Sequence, residues 1–491
     1  MSKEAVEDIL RASDEAHSVV SSWLVKAGIF NFTSETQWVT VFATVSEAQA
    51  LLGTRYKWYM RSSAEQKLAI RKLRTLQYCI PDDVASHIDL IEPTIYFDQP
   101  HPSYSSFNCV QLTSTGSCNW DAITPSCLRD MYNAYTDSHE HEAPVAIASF
   151  VKEYARYSDL ALFEERYAPY AMNQSFRVVE VAGGLNEQNS SLDATEANSD
   201  VQYMKAISAP APLFEYSVGY GHGNRPDGFL DLLLYMLAQP NDALPSTISV
   251  SYGEEESTVP KNYAIRVCNM FGQLGARGVS VLFASGDYGV GLRCQKPGNS
   301  ATSRFGPMFP ASCPWVTSVG AIHVSEAASF SSGGFSEYFN RSQAYWQSDA
   351  VDHFLRSNGN RNAGYFNPDG RAFPDVSAQG VNLVIINSGQ DSIVNGTSLS
   401  APIFGGIIAR ANSARLSIGK SPLGFLNPLL YQSLHPALTD VVAGSTKGCK
   451  GAHGGHEISG ASWDAIPGWD PATGLGFPDE KRFLSIALQI P

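Results

Sequence analysis

The chain has 491 residues, 44% hydrophobic and 17% charged, with a formal net charge of −14, so it is long and apolar enough for more than one domain around a large core. An acidic balance of this size argues against nucleic acid as a partner, because phosphate binding needs clustered lysine and arginine. The longest apolar run, Phe229 to Ala238, is short and interrupted by Asp231, so no membrane-spanning helix of about 20 apolar residues is expected.

In chain order, Lys3 to Ala27 reads as a helical run. "TQWVTVFATVSEAQALLG" (Thr36 to Gly53) reads as a strand leading into a helix, and "IDLIEPTIYF" (Ile88 to Phe97) follows. Between them, Arg55 to Arg74 holds seven basic residues and one acid. That is either a solvated face or a patch that docks on an acidic surface, the rest of this chain included. From Asp98 to Pro125 the chain is rich in Pro, Ser, Thr and Asn without periodicity, which marks a connector and a domain boundary.

From Ser149 onward, apolar β-branched runs alternate with helical patterns. The runs are "FRVVEVAGG", "FEYSVGY", "STISVSYG", "VSVLFASG", "WVTSVGA" and "VNLVIINSG", and the helices are expected over Glu196 to Ile207, Phe229 to Ala238 and Lys261 to Gly275. This alternation predicts an α/β fold with a mostly parallel sheet covered on both faces, with its chemistry at the carboxyl ends of the strands.

Three places along this stretch carry ionisable or nucleophilic groups. In "SLDATEANSDVQY", Glu196 is either the capping-box partner of Asp193 or a functional carboxyl. Asp200 lies one helical turn further on the same face, where two carboxylates are unfavourable and tend to share a proton. In "VSVLFASGDYGVG", Asp287 sits on a glycine-flanked turn at a strand's carboxyl end, either bonding its own backbone or serving the site. In "NGTSLSAP", Ser398 precedes a helix whose proline suits a first turn. A serine hydroxyl needs a base. The segment around His222 lacks the pattern of a subtilisin-like histidine, which leaves the Glu196–Asp200 pair.

Those segments, with "SVSYGEEES", "FPASCPWVTSVGA", "SSGGFSEYF" and "IPGWDPATGLGFP", resemble in order the sedolisins, the serine-carboxyl peptidases, and among them the tripeptidyl peptidases of fungi and animal lysosomes. The resemblance implies a subtilisin-like parallel sheet preceded by a partial α+β prodomain. It implies Ser398 as nucleophile, Glu196 as general base and acid, Asp200 as its partner and Asp287 as oxyanion donor. It implies one structural calcium ion on the Asp440 and Asp470 side chains and the carbonyls of Val441, Ile466 and Gly468. Ile466 stands where glycine is expected, which matters only if that position needs a glycine's backbone angles.

The same resemblance makes residues 1–104 a propeptide, an intramolecular chaperone and inhibitor whose opening elements are missing, 105–125 a processing linker and 126–491 the catalytic domain. Cys294 with Cys449 resembles a bridge of the family. Cys268 with Cys313 is a further pairing offered without a motif behind it, and Cys109, Cys118 and Cys127 allow several. Eight cysteines and five glycosylation sequons lean towards an extracellular or vacuolar-lysosomal location, although "MSKEAVEDILRASDEAH" has no signal core. Asn395, beside the nucleophile, is expected to be too buried for a glycan.

The expected activity is acid hydrolysis of peptide bonds through a Ser398 acyl-enzyme, releasing tripeptides from free N-termini. The partners are peptide substrates and the chain's own propeptide, with a monomer and no membrane or nucleic acid. The alternatives are an endopeptidase of the same family, a catalytically inactive homologue and a truncated chain that does not fold.

Overall fold

A computed structural model describes residues 1–60, 71–97, 101–102, 118–134, 141–189, 194–219 and 228–491, and 106–109 by backbone. The N-terminal part holds α1 (Lys3–Ile9), α2 (Asp14–Lys26), β1 (Phe32–Ser34), β2 (Val39–Val41), α3 (Val45–Leu51), β3 (Lys57–Met60), β4 (Arg71–Arg74) and α4 (Asp82–Ala85). The expected single helix from Lys3 is two helices. Ser13 accepts the Ala16 N–H and starts α2 afresh.

Of the basic run, residues 61–70 lie outside the described chain. Lys72 and Arg74 are buried and serve Tyr96 within the N-terminal part: Arg74 Nε donates to the Tyr96 carbonyl at 2.7 Å. Tyr96 in turn stacks on Tyr263 at 4.4 Å between centroids and donates to Glu254. Trp38 and Asp89 reach the cation Arg266. Described contacts to the rest of the chain include those of Trp38, Asp89 and Tyr96, the Met1 ammonium on the Ala276 carbonyl, Lys3 Nζ on the Ala238 carbonyl, and Gln37 on Arg266 and Gln273; Lys72 and Arg74 act from behind Tyr96.

Two short strands follow, β5 (His101–Pro102) and β6 (Ser106–Cys109), then α5 (Pro125–Tyr132), β7 (Val145–Ser149), α6 (Tyr157–Tyr167), β8 (Phe176–Val181), α7 (Thr195–Ser208), β9 (Leu213–Val218), α8 (Gly228–Ala238), β10 (Thr247–Val250), β11 (Tyr252–Glu255), α9 (Lys261–Ala276) and β12 (Ser280–Ala284). Beyond these come the hairpin β13 (Gln295–Lys296) and β14 (Asn299–Ser303), β15 (Met308–Phe309), β16 (Thr317–His323), β17 (Glu326–Ala327), β18 (Gly334–Asn340), α10 (Ser348–Asn358), β19 (Gly370–Phe373), β20 (Val376–Gln379), β21 (Leu383–Asn387), β22 (Gln390–Asn395) and α11 (Thr397–Ser417).

The central sheet has eight strands in the order β17-β16-β12-β10-β7-β9-β8, with β20 also on β16. All its pairings are parallel except the β16–β17 hairpin. Leu282 and Ala284 of β12 enter the core under α7 and α11, while Val281 and Phe283 enter the opposite core under α8 and α9. Both faces are covered, as the near-continuous apolar strands predict.

Two assignments differ from the sequence reading. "VNLVIINSG" forms β21, which pairs antiparallel with β22 outside the main sheet. Its place is taken by β20, which begins two residues after Pro374. The central strand β7 was not anticipated, because its alanine-rich "VAIAS" carries little β signal. Three disulfides close in the described residues: Cys268–Cys313, Cys294–Cys449 and Cys118–Cys127. Cys79 is free and exposed.

Candidate active site

Helices α7 and α11 lie against each other across the middle of one sheet face. Every residue of α7 is buried, so its polar side chains are removed from bulk water. Glu196, in its first turn, lies fully inside the protein, and so does Asp200 one turn on. The capping-box alternative for Glu196 does not hold: α7 is preceded by Ala194 with no side-chain cap, and Asp193 lies outside the described residues. The Glu196 N–H instead donates to Glu153 Oε2 at 3.2 Å.

Glu153 follows β7 on a loop where Val151 and Lys152 both take left-handed backbone angles, a costly arrangement for non-glycine residues. It adds a third carboxyl to the pair. Burial first, then the Asp200 and Glu153 charges, push the Glu196 carboxyl well above its usual range, and the approaching Ser398 hydroxyl opposes that shift. Neither Glu196 oxygen has a well-aligned hydrogen bond. Burial likewise raises Asp200, opposed by the Ser251 hydroxyl, which donates to its Oδ1 at 2.6 Å. Two neighbouring buried carboxyls raised in this way resist ionising together.

Ser398 is the second residue of α11 and is buried. The helix begins at Thr397, earlier than the sequence suggests, so Pro402 stands inside it and not in the first turn. A proline there has no N–H for the carbonyl four residues back, that of Ser398.

Asp287 lies on the turn after β12. Gly286 takes φ +106°, and a Cβ there would meet the Met308 side chain at 2.9 Å, so the turn requires glycine. Asp287 Oδ1 accepts from the Thr397 N–H at 2.9 Å and the Thr397 hydroxyl at 2.8 Å, and the Gly286 N–H donates to Thr397 Oγ1 at 3.1 Å. Asp287 Oδ2 is buried without a partner. Burial raises the acid to about 8 despite those two donors, so it is protonated in acid and able to donate. The four expected residues are thus brought into one neighbourhood. Thr397 and Ser251 belong to the same site and are flagged in the sequence only by their neighbours in "NGTSLSAP" and "SVSYGEEES", and nothing in the sequence points to Glu153.

The segment joining the two domains crosses this neighbourhood. Antiparallel pairing sets His101–Pro102 on Tyr252–Gly253, next to Ser251. Ser106 to Cys109 pairs with Asn395 to Ser392, which lead into Ser398.

Farther along, Asp470 is buried; its Oδ2 accepts the Ile466 N–H at 2.9 Å and its Oδ1 accepts those of Ala472 and Thr473. Asp440 Oδ2 accepts the Gly468 N–H at 2.8 Å. Both carboxyls thus meet the 466–468 turn, and burial raises Asp470 to about 7, a cost that a bound cation would reverse. Among the described residues no cluster of three or more His, Cys, Asp or Glu converges, so an ion here would draw mainly on carbonyl oxygens. Ile466 is not among the left-handed residues, and the glycine expected there is not required by its backbone.

The Pro-kumamolisin activation domain family matches residues 1–97 and the subtilase family matches residues 235–423. The probable tripeptidyl-peptidase SED3 of Trichophyton verrucosum (strain HKI 0517) is 38% identical over 513 residues, covering 99% of this chain and 86% of its own. The chain belongs to the sedolisins. It is a serine-type peptidase of that family. A second sedolisin relative, tripeptidyl-peptidase SED4 of Arthroderma otae (strain ATCC MYA-4605 / CBS 113480), is 38% identical over 518 residues, covering 100% of this chain and 85% of its own. The solved structure of Pseudomonas sedolisin (serine-carboxyl proteinase), complexed with two molecules of pseudo-iodotyrostatin, superposes with a TM-score of 0.55 at 21% identity, covering 75% of this chain and 98% of that one. It shares the fold.

Proposed function

We propose that this sedolisin hydrolyses peptides in acid through a Ser398 acyl-enzyme and releases tripeptides from free N-termini. The observation that carries the reading is a buried carboxyl pair approached by the Ser398 hydroxyl, with Asp287, which burial raises to about 8, accepting a hydrogen bond from the neighbouring Thr397. Glu196 takes the hydroxyl proton as Ser398 Oγ attacks the scissile carbonyl, and returns it to the leaving amine. Asp200 orients Glu196 and keeps the shared proton. The Asp287 Oδ2–H donates to the oxyanion of the tetrahedral intermediate. Water then deacylates the serine by the same route.

Residues 1–104 act as the propeptide, 105–125 as the linker that is cut, and 126–491 as the monomeric catalytic domain, working extracellularly or in a vacuolar-lysosomal compartment. The pairing of β5 and β6 beside the nucleophile supports the propeptide as an intramolecular inhibitor. One calcium ion, held by Asp440, Asp470 and the carbonyls of Val441, Ile466 and Gly468, would cross-link the C-terminal loops without entering the chemistry.

The test is incubation of the full chain at acid and neutral pH with an N-terminally free peptide and its blocked counterpart. Tripeptides from the free peptide alone, in acid, are expected. Internal cuts in both would replace the tripeptidyl reading with an endopeptidase, and silence from folded, processed protein would overturn catalysis altogether.

A further inference from the structure

We propose that Ser251 is a positioning residue that ties the Glu196–Asp200 pair to the turn carrying the nucleophile. The inference rests on the catalytic reading above. Ser251 joins β10 to β11 and is fully buried. Its single hydroxyl lies 2.6 Å from Asp200 Oδ1 and 3.2 Å from the Ser398 carbonyl oxygen. That carbonyl is the one which Pro402, inside α11, cannot serve. The break in the helix and the hydroxyl that answers it come from different elements, and they meet at the catalytic pair.

One hydrogen cannot serve two acceptors at once. While Asp200 Oδ1 is bare, the Ser251 O–H points to it and supports the carboxylate. When a proton sits on Oδ1, Asp200 becomes the donor, Ser251 Oγ accepts, and the Ser251 hydrogen turns to the Ser398 carbonyl. Ser251 gains and loses no proton in this exchange. It reports the protonation of Asp200 to the backbone of the nucleophile. Asp200 is faced by Glu196 from its own helix, Glu153 from the loop after β7, Glu215 from β9 and the Tyr252 phenol from β11, while Arg156 offsets Glu215. α11 contributes the Ser398 carbonyl and hydroxyl.

The experiment measures kcat and KM against pH on an N-terminally free peptide, with the acid-processed full chain and three variants. Ser251→Ala should lower kcat by about ten- to a hundredfold with KM little changed. It should also move the acid limb of kcat upward by about one pH unit, because the ionised pair has lost a donor. Ser251→Thr, which keeps the hydroxyl, should restore the limb. Pro402→Ala returns an N–H to the Ser398 carbonyl and leaves the Ser251 hydrogen to Asp200 alone, so its acid limb should move downward.

A Ser251→Ala limb that stays put, or a loss confined to KM, overturns the proposal. Should Ser251→Ala fail to fold by thermal melt, Pro402→Ala decides, and an unmoved limb there is equally fatal. Wild-type silence on the free peptide would instead overturn the catalytic reading, with this inference falling alongside it.

Discussion

Thr397 decides which oxygen of Asp287 carries the proton. Its N–H and hydroxyl both point at Oδ1, so the acidic hydrogen is left to Oδ2. Replacing Asp287 by Ala should cost about 10²–10³ in kcat, the range for a lost oxyanion donor. Glu196→Gln, which keeps the shape and removes the base, should cost about 10²–10⁴. Steady-state rates on correctly processed protein check both, and a Glu196→Gln enzyme within tenfold of wild type would contradict the assigned base. Asp287 loses its proton as pH rises through about 8, so kcat/KM should decline along an alkaline limb centred near that pH. At this scale the sequence was readable in placement, as for Asp287 on the turn that follows an apolar strand. Glu153 was not readable: its position depends on left-handed angles at Val151 and Lys152, which no side-chain pattern encodes.

In the proposed mechanism, the alignment of Glu196 with Ser398 is a property of two helices. Gly405 and Gly406 of α11 lie directly on α7: a Cβ on Gly406 would fall 2.6 Å from the Ile207 Cβ, and one on Gly405 would fall 2.8 Å from the Met204 methyl. Gly406→Ala must therefore spread the helices, and should destabilise the protein by about 1–3 kcal/mol in denaturant titration. It should also lower kcat, since the gap opens between the carboxyl pair and Ser398; unchanged stability would mean the seam is looser than its spacing indicates. The existence of α7 was legible, but amphipathic periodicity could not orient it, because every side of it is buried. The strands were legible where β-branched residues run together. They were lost at β7, where alanine replaces them, and misassigned at β21, whose apolar run suits a hairpin as well as a sheet core.

The molecule as a whole keeps several carboxylic acids away from water. Glu215 and Glu256 are raised to about 7 by burial, and Asp287 to about 8. In the unfolded chain such groups ionise near 4. Between about pH 4 and pH 8 the native state therefore binds more protons than the unfolded one, and stability falls as pH rises across that window. Thermal melts at matched ionic strength should show Tm declining from pH 5 to pH 8; a steady rise over the same interval would contradict the buried acids. The polar character of the stretch after Asp98 was visible in composition. The route of that stretch was not, because β5 and β6 gain their strand character from edges supplied by Tyr252–Gly253 and Ser392–Asn395. On the proposed reading, in which the tethered N-terminal segment inhibits, strands β5 and β6 already paired beside Ser398 oblige a free peptide to compete at roughly millimolar effective concentration. Weak reversible inhibitors should look inert on the uncut chain, and once the tether is severed the released piece should lose its hold on simple dilution.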